Sequence, residues 1–102
     1  MTSRAEIQAL FERGQRIDRP TLLLLWSAGA GGRRAAFAVS RQIRGAVGRN
    51  RARRRLREAY RRVREAAPLG AAMVVVAKRA ALDVAFHRLE RDLAEALGAI
   101  PR

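Results

Sequence analysis

With 102 residues the chain is long enough for one domain and a modest core, and too short for two ordinary domains. It has no cysteine, which excludes disulfides, thiolate metal sites and a thiol nucleophile together. The formal net charge is +13, and the basic residues are all arginine except Lys78; arginine is always charged and holds phosphate through two parallel hydrogen bonds, so a polyanionic partner is expected.

Ser3 to Arg13 reads as a short helix, with Ser3 and Glu6 at capping-box spacing, Ile7, Leu10 and Phe11 on one face, and Gly14 to end it. No charged-then-apolar signal pattern opens the chain, so a cytoplasmic protein is expected. Arg16 to Arg19 is a polar connection with room for a brief edge strand around Ile17. Thr21 to Ser27 is a strand apolar in both directions, hence covered on both faces. Its longest apolar run, Leu22 to Trp26, is far below the ~18 residues of a membrane span. The glycine cluster at 29–32 is a turn, and Arg34 to Ser40 returns as a second strand, predicting a hairpin. The alanines of that second strand leave space above them, for a shallow groove or for a packed helix.

Gly45 opens a long helix, about Ala46 to Ala67, stopped by Pro68 and Gly70. Between Arg41 and Arg64 there are eleven arginines against one acid, Glu58, so ten of the thirteen net charges lie in this segment. Ala52, Leu56, Ala59, Tyr60 and Val63 form one narrow apolar stripe. Asn50, Arg53, Arg57, Arg61 and Arg64 lie along one flank of it, and Arg51, Arg55 and Arg62 along the other. So many like charges on one helix repel each other unless a partner offsets them. Four to six phosphate contacts would give a log K against log[salt] slope of about −3 to −5. The few aromatics mostly have core positions, so a base-stacking platform is not expected.

Ala71 to Ala77 is a central strand, β-branched and uncharged. Asp83 is a candidate N-cap for a last helix, about Val84 to Leu97, whose inner face carries Phe86, Leu89, Leu93, Leu97 and Ile100. Glu90, Asp92 and Glu95 are assigned to its solvated side, balanced by Arg88 and Arg91. Catalysis by side chains is not expected: the single histidine, His87, lies beside Phe86 on that helix and reads as a partly exposed surface residue, and no metal-ligand spacing or phosphate-cradling loop is present. The elements add up to a single-domain α+β two-layer sandwich over residues 1–102.

The segment Ala46-Val47-Gly48-Arg49-Asn50-Arg51, followed by basic residues and Arg57-Glu58, resembles the signature of the bacterial ribonuclease P protein component. AEIQALFERG, FAVSRQI and VVVAKRAA resemble further segments of that family, so the likeness covers nearly the whole chain. The resemblance implies an α-β-β-β-α-β-α order with a left-handed βαβ crossover carrying the arginine-rich helix. It implies a role beside a catalytic RNA subunit that uses Mg²⁺ to remove the 5′ leader of precursor tRNA, with one protein per RNA and no membrane. By position, Arg49, Asn50, Arg51, Arg53, Arg54, Arg57, Arg61 and Arg41 would contact RNA, and Ile7, Phe11, Leu23 and Leu25 would line the leader cleft. Ile7 and Leu25 stand where aromatics are common in that family, which implies weaker stacking on leader bases. A general structured-RNA-binding protein, ribosome-associated or free, is the alternative raised by the same charge. A helix acting at anionic membranes is the weaker third, because the stripe is narrow and alanine-rich.

Overall fold

The computed structural model describes residues 4–29 and 34–101. The elements are α1 (Arg4–Arg13), β1 (Gln15–Asp18), β2 (Leu22–Ala28), β3 (Arg34–Val39), α2 (Ala46–Val63), β4 (Ala71–Ala77), a one-turn α3 (Ala80–Asp83) and α4 (Phe86–Gly98). A short 3-10 turn at Arg64–Ala66 continues α2. The predicted cap at Ser3 lies outside the described residues. Glu6 forms an ion pair with Arg34 on β3 at 2.8 Å, and the Gly14 amide closes α1 on the Leu10 carbonyl.

The sheet order is β1-β2-β4-β3. β1 and β2 form the hairpin, with Arg19 and Leu22 exchanging backbone hydrogen bonds around Pro20 and Thr21. The expected hairpin of β2 with β3 does not form: β4 lies between them, antiparallel to β2 and parallel to β3. The physical reason is burial. β4 carries no charge, and from Ala71 to Val75 and again at Ala77 it is closed from solvent, so it takes the centre. β3, with Arg34 and its half-exposed alanines, takes the edge. The β3–α2–β4 connection is then a parallel crossover that carries the arginine-rich helix over the sheet.

One face of the sheet is covered by α2 and α4 over its centre, with Ala35 and Phe37 of the edge strand left half-buried. Leu22, Leu24, Met73 and Val75 meet Ala52, Leu56 and Ala59 of α2 and Leu89, Leu93 and Leu97 of α4. The small Ala52 and Ala59 let the helices lie close, and Leu56 between them has no exposed surface. The opposite face is covered only in part: Leu10 of α1 closes over Leu25 and Val74, leaving Leu23, Ala36 and Ala38 half-buried around that small cluster.

Two expectations for the C-terminal region fail. Asp83 ends the one-turn α3 rather than capping the last helix, because Ala81 and Leu82 turn inward to pack first; α4 begins at Phe86 with no side-chain cap. Asp92 is not solvated but buried, on the same helix face as Leu89, Leu93 and Ala96. Its carboxylate accepts from the Thr21 hydroxyl at 2.6 Å and from the Thr21 amide at 3.2 Å, tying the β1–β2 turn to α4. Asp92→Ala leaves both Thr21 donors buried and unpaired, and is expected to cost about 2–4 kcal/mol. Thermal denaturation checks it, with Asp92→Asn, which keeps an acceptor oxygen, losing less.

Candidate nucleic-acid interface

α2 starts at Gly45, whose φ of 83° lets the chain turn sharply out of the β3 end into the helix. The apolar stripe then turns one side of the helix to the sheet and α4, which aims Arg51, Arg54, Arg57, Arg61 and Arg62 outward. Asn50, Arg53, Arg54 and Arg57 come together around an open depression of about 350 Å³. The Arg53 guanidinium donates weakly to the Asn50 side-chain oxygen at 3.4 Å. Arg54 and Arg57 are exposed and have no partner among the described residues. Arg51 is exposed elsewhere on the same helix, and Arg41 is exposed just beyond β3.

Arg61 is exposed but holds Glu58 through two hydrogen bonds, Nε to Oε1 at 2.7 Å and Nη2 to Oε2 at 2.9 Å. That pairing lowers the Glu58 pKa and raises that of Arg61. A carboxylate held down in this way keeps its pairing above the ordinary carboxylate range and loses it as pH falls through its lowered value, so at neutral pH the two groups stay paired at the surface. Lys78 holds Asp18 at the end of β1 in the same fashion, lowering the Asp18 pKa chiefly through their hydrogen bond.

Two arginines of α2 face the protein rather than solvent. Arg49 donates to the carbonyls of Ile43 at 2.9 Å, Ser40 at 3.1 Å and Val39 at 3.3 Å, fastening the β3–α2 connection to the first turn of the helix. Arg55 donates to the carbonyls of Ala81 at 2.9 Å and Val84 at 2.5 Å and lies over the Phe86 ring. Burial lowers the Arg55 pKa, helped by the nearby Arg51 charge. Arg62 also lies over Phe86, 5.2 Å from its centroid, and faces Glu90 at 3.7 Å. Of the two flanks read from the sequence, the one with Arg53 and Arg57 is open, and the one with Arg55 and Arg62 packs on the C-terminal helices. Arg49 stands three residues before Ala52 and seven before Leu56, so its place on the buried stripe was visible in the spacing.

The groove residues divide as well. Ile7 packs on the cluster under α1, and Phe11, one turn on, is 49% exposed on the same flank of the helix. Leu23 lies on the open part of the sheet face, whereas Leu25 is closed beneath Leu10. Val76 pairs with both Leu23 and Ala38, which identifies the floor of the open part as Leu23, Val76 and Ala38. Val76 and Ala38 were not singled out in the sequence; they become groove residues only through the strand order. Among the described residues no group of three or more His, Asp or Glu side chains could hold a metal ion.

Residues 1–100 match the family model described as Ribonuclease P. The ribonuclease P protein component of Pelotomaculum thermopropionicum is 41% identical over 86 residues, covering 83% of this chain and 77% of that protein. That of Symbiobacterium thermophilum is 36% identical over 97 residues, covering 93% and 84%. The ribonuclease P protein of Thermotoga maritima has a similar structure, with a TM-score of 0.86 over 100% of this chain and 97% of that one. At 23% identity that last likeness speaks for the fold.

Proposed function

Because the chain belongs to the ribonuclease P protein family, as a protein component of that endoribonuclease, we propose that the outer face of α2 binds the ribonuclease P RNA and that the half-covered sheet face receives the 5′ leader of precursor tRNA. The observation that carries this reading is the arginine face around Asn50, Arg53, Arg54 and Arg57, directed away from the core and without acidic partners. Guanidinium groups there neutralise phosphates and release counterions, which supplies affinity independent of sequence. The half-covered sheet face beside α1 is apolar, and in this reading it takes the leader as an extended single strand.

The RNA subunit carries the cleavage chemistry in this reading. The described residues do not fit a magnesium site of their own, so the ion is assigned to the RNA and substrate. The protein's part is to bind, to orient the leader and to lower repulsion between phosphates brought together. One protein per RNA, working in the cytoplasm, completes the proposal; no helix among the described residues is long and apolar enough to cross a membrane.

The leader assignment is tested by comparing precursor and mature tRNA as ligands of the reconstituted RNA–protein complex. Wild-type complex is expected to favour the leader-bearing RNA by roughly tenfold or more, a difference of ~1.4 kcal/mol. Ala38→Glu, which sets a carboxylate in the groove floor, should abolish that preference without weakening assembly with the ribonuclease P RNA. A preference untouched by Ala38→Glu places the leader elsewhere.

A further inference from the structure

At the far end of the arginine face the molecule holds a feature that charge alone does not explain. Phe37, on the edge strand β3, and Tyr60, on α2, meet edge to face with ring centroids 5.5 Å apart and an interplanar angle of 67°. Both rings are only half-buried. They form, with Ala35, Arg64 and Glu65, the walls of an open depression of about 350 Å³. β3 is the terminal strand of the sheet, so the depression opens sideways at the sheet edge, and Ala35 leaves it unobstructed. By helical periodicity Tyr60 stands between Arg53 and Arg64, adjacent to Arg57, so the depression continues the phosphate-binding face.

We propose that this depression binds one unpaired nucleobase of the RNA that α2 docks on, seated against Tyr60 and Phe37. The proposal rests on the RNA-binding reading of α2 and adds to it a site for a base instead of a phosphate. The chemistry of the walls sets the orientation. Aromatic surface accepts the π-face of any base, and stacking of this kind is the usual way proteins hold splayed-out RNA bases. Arg64, exposed at the depression, meets the adjoining phosphate. Glu65, exposed beside it, repels phosphate and accepts from the amino or ring N–H groups of the base, which favours bases that present donors on their pairing edge. The sequence put Tyr60 on the apolar stripe and gave most of the aromatics core positions; it is the strand order, with β3 at the edge, that leaves these two rings accessible.

The test uses the full chain with ribonuclease P RNA. Tyr60→Leu should weaken binding roughly 5- to 100-fold, the range for loss of one stacked base. The salt slope should stay unchanged, since no phosphate contact is lost, and Tyr60→Phe should bind within about twofold of wild type. Arg64→Gln should make the slope shallower by about 0.7 to 0.9. Short-wavelength ultraviolet irradiation of the wild-type complex should yield a nucleotide adduct on Tyr60 or Phe37, and this decides the matter if Tyr60→Leu fails to fold. A folded Tyr60→Leu that binds like wild type, or an adduct mapped only to other residues, overturns the base site. Failure of the underlying reading looks different: in that case alanine at Arg53 and Arg57 has no effect on binding either.

Discussion

Replacing Arg53, Arg54 and Arg57 together with alanine is expected to weaken binding to the ribonuclease P RNA by two to three orders of magnitude while leaving the fold intact. Each phosphate contact releases counterions worth ~1–1.5 kcal/mol near 0.1 M salt, and three of them sum to about 3–4.5 kcal/mol. The slope of log K against log[salt] should become shallower by roughly 2 to 3, because each lost phosphate contact removes one counterion release. Stability should not fall: Arg54 and Arg57 are exposed and make no ion pair or side-chain hydrogen bond among the described residues, and the one hydrogen bond of Arg53 is its long contact to Asn50. Relief of like-charge repulsion along α2 should raise the melting temperature slightly. Binding titrations across a salt series, with circular dichroism melts in parallel, read both quantities. An unchanged slope would remove the three residues from the RNA contact.

Arg49→Ala should behave in the opposite way. The wild-type side chain donates to three carbonyls of the β3–α2 connection, and its removal strips that donor from a partly buried setting, although the Ser40 carbonyl keeps the Ile43 amide. A loss of about 2–3 kcal/mol follows, which in a chain of this size lowers the melting temperature by roughly 10 °C or more. The salt slope of RNA binding should stay within error of wild type once protein is added at a temperature where the variant is folded. Arg49→Lys cannot span three acceptors with one ammonium and should recover only part of the loss. The opposite pairing of outcomes, normal stability with a shallower slope, would show that Arg49 leaves its carbonyls to meet phosphate. Within one signature segment, then, Arg49 and Arg53 part ways: the first fixes the helix on its sheet, and the second is proposed to face the RNA.

Much of this arrangement was legible in the residues. The stripe from Ala52 to Val63 oriented α2 correctly, and the uncharged run at Ala71 to Ala77 identified the central strand. Both are local patterns with a fixed period, and local patterns are what a sequence displays directly. The β2–β4–β3 order was not legible, because it depends on pairing between segments some forty residues apart, and hairpin signals favour neighbours in the chain. The same cause hid the groove floor, since Val76 and Ala38 become adjacent only when β4 enters between β2 and β3.

Asp92 was misplaced for a different reason. A single acid among Glu90, Arg91 and Glu95 reads as part of a charged face, although its spacing from Leu89 and Ala96 puts it on the buried one. Only the arrival of Thr21 across the fold supplies the donors that make its burial tolerable. Leu25 shows the converse: its type fitted a cleft wall, but α1 lies across it, and the groove begins one pleat further along at Leu23.

The division of labour between protein and RNA is most directly tested by cleavage of a precursor tRNA at low magnesium, measured with the ribonuclease P RNA alone, with the protein alone and with both together. The account predicts no cleavage by the protein alone, weak cleavage by the RNA, and strong stimulation when both are present, lost in the Arg53, Arg54 and Arg57 alanine variant. Hydrolysis of the precursor by the protein on its own, or an RNA reaction that the protein leaves unchanged, would contradict it.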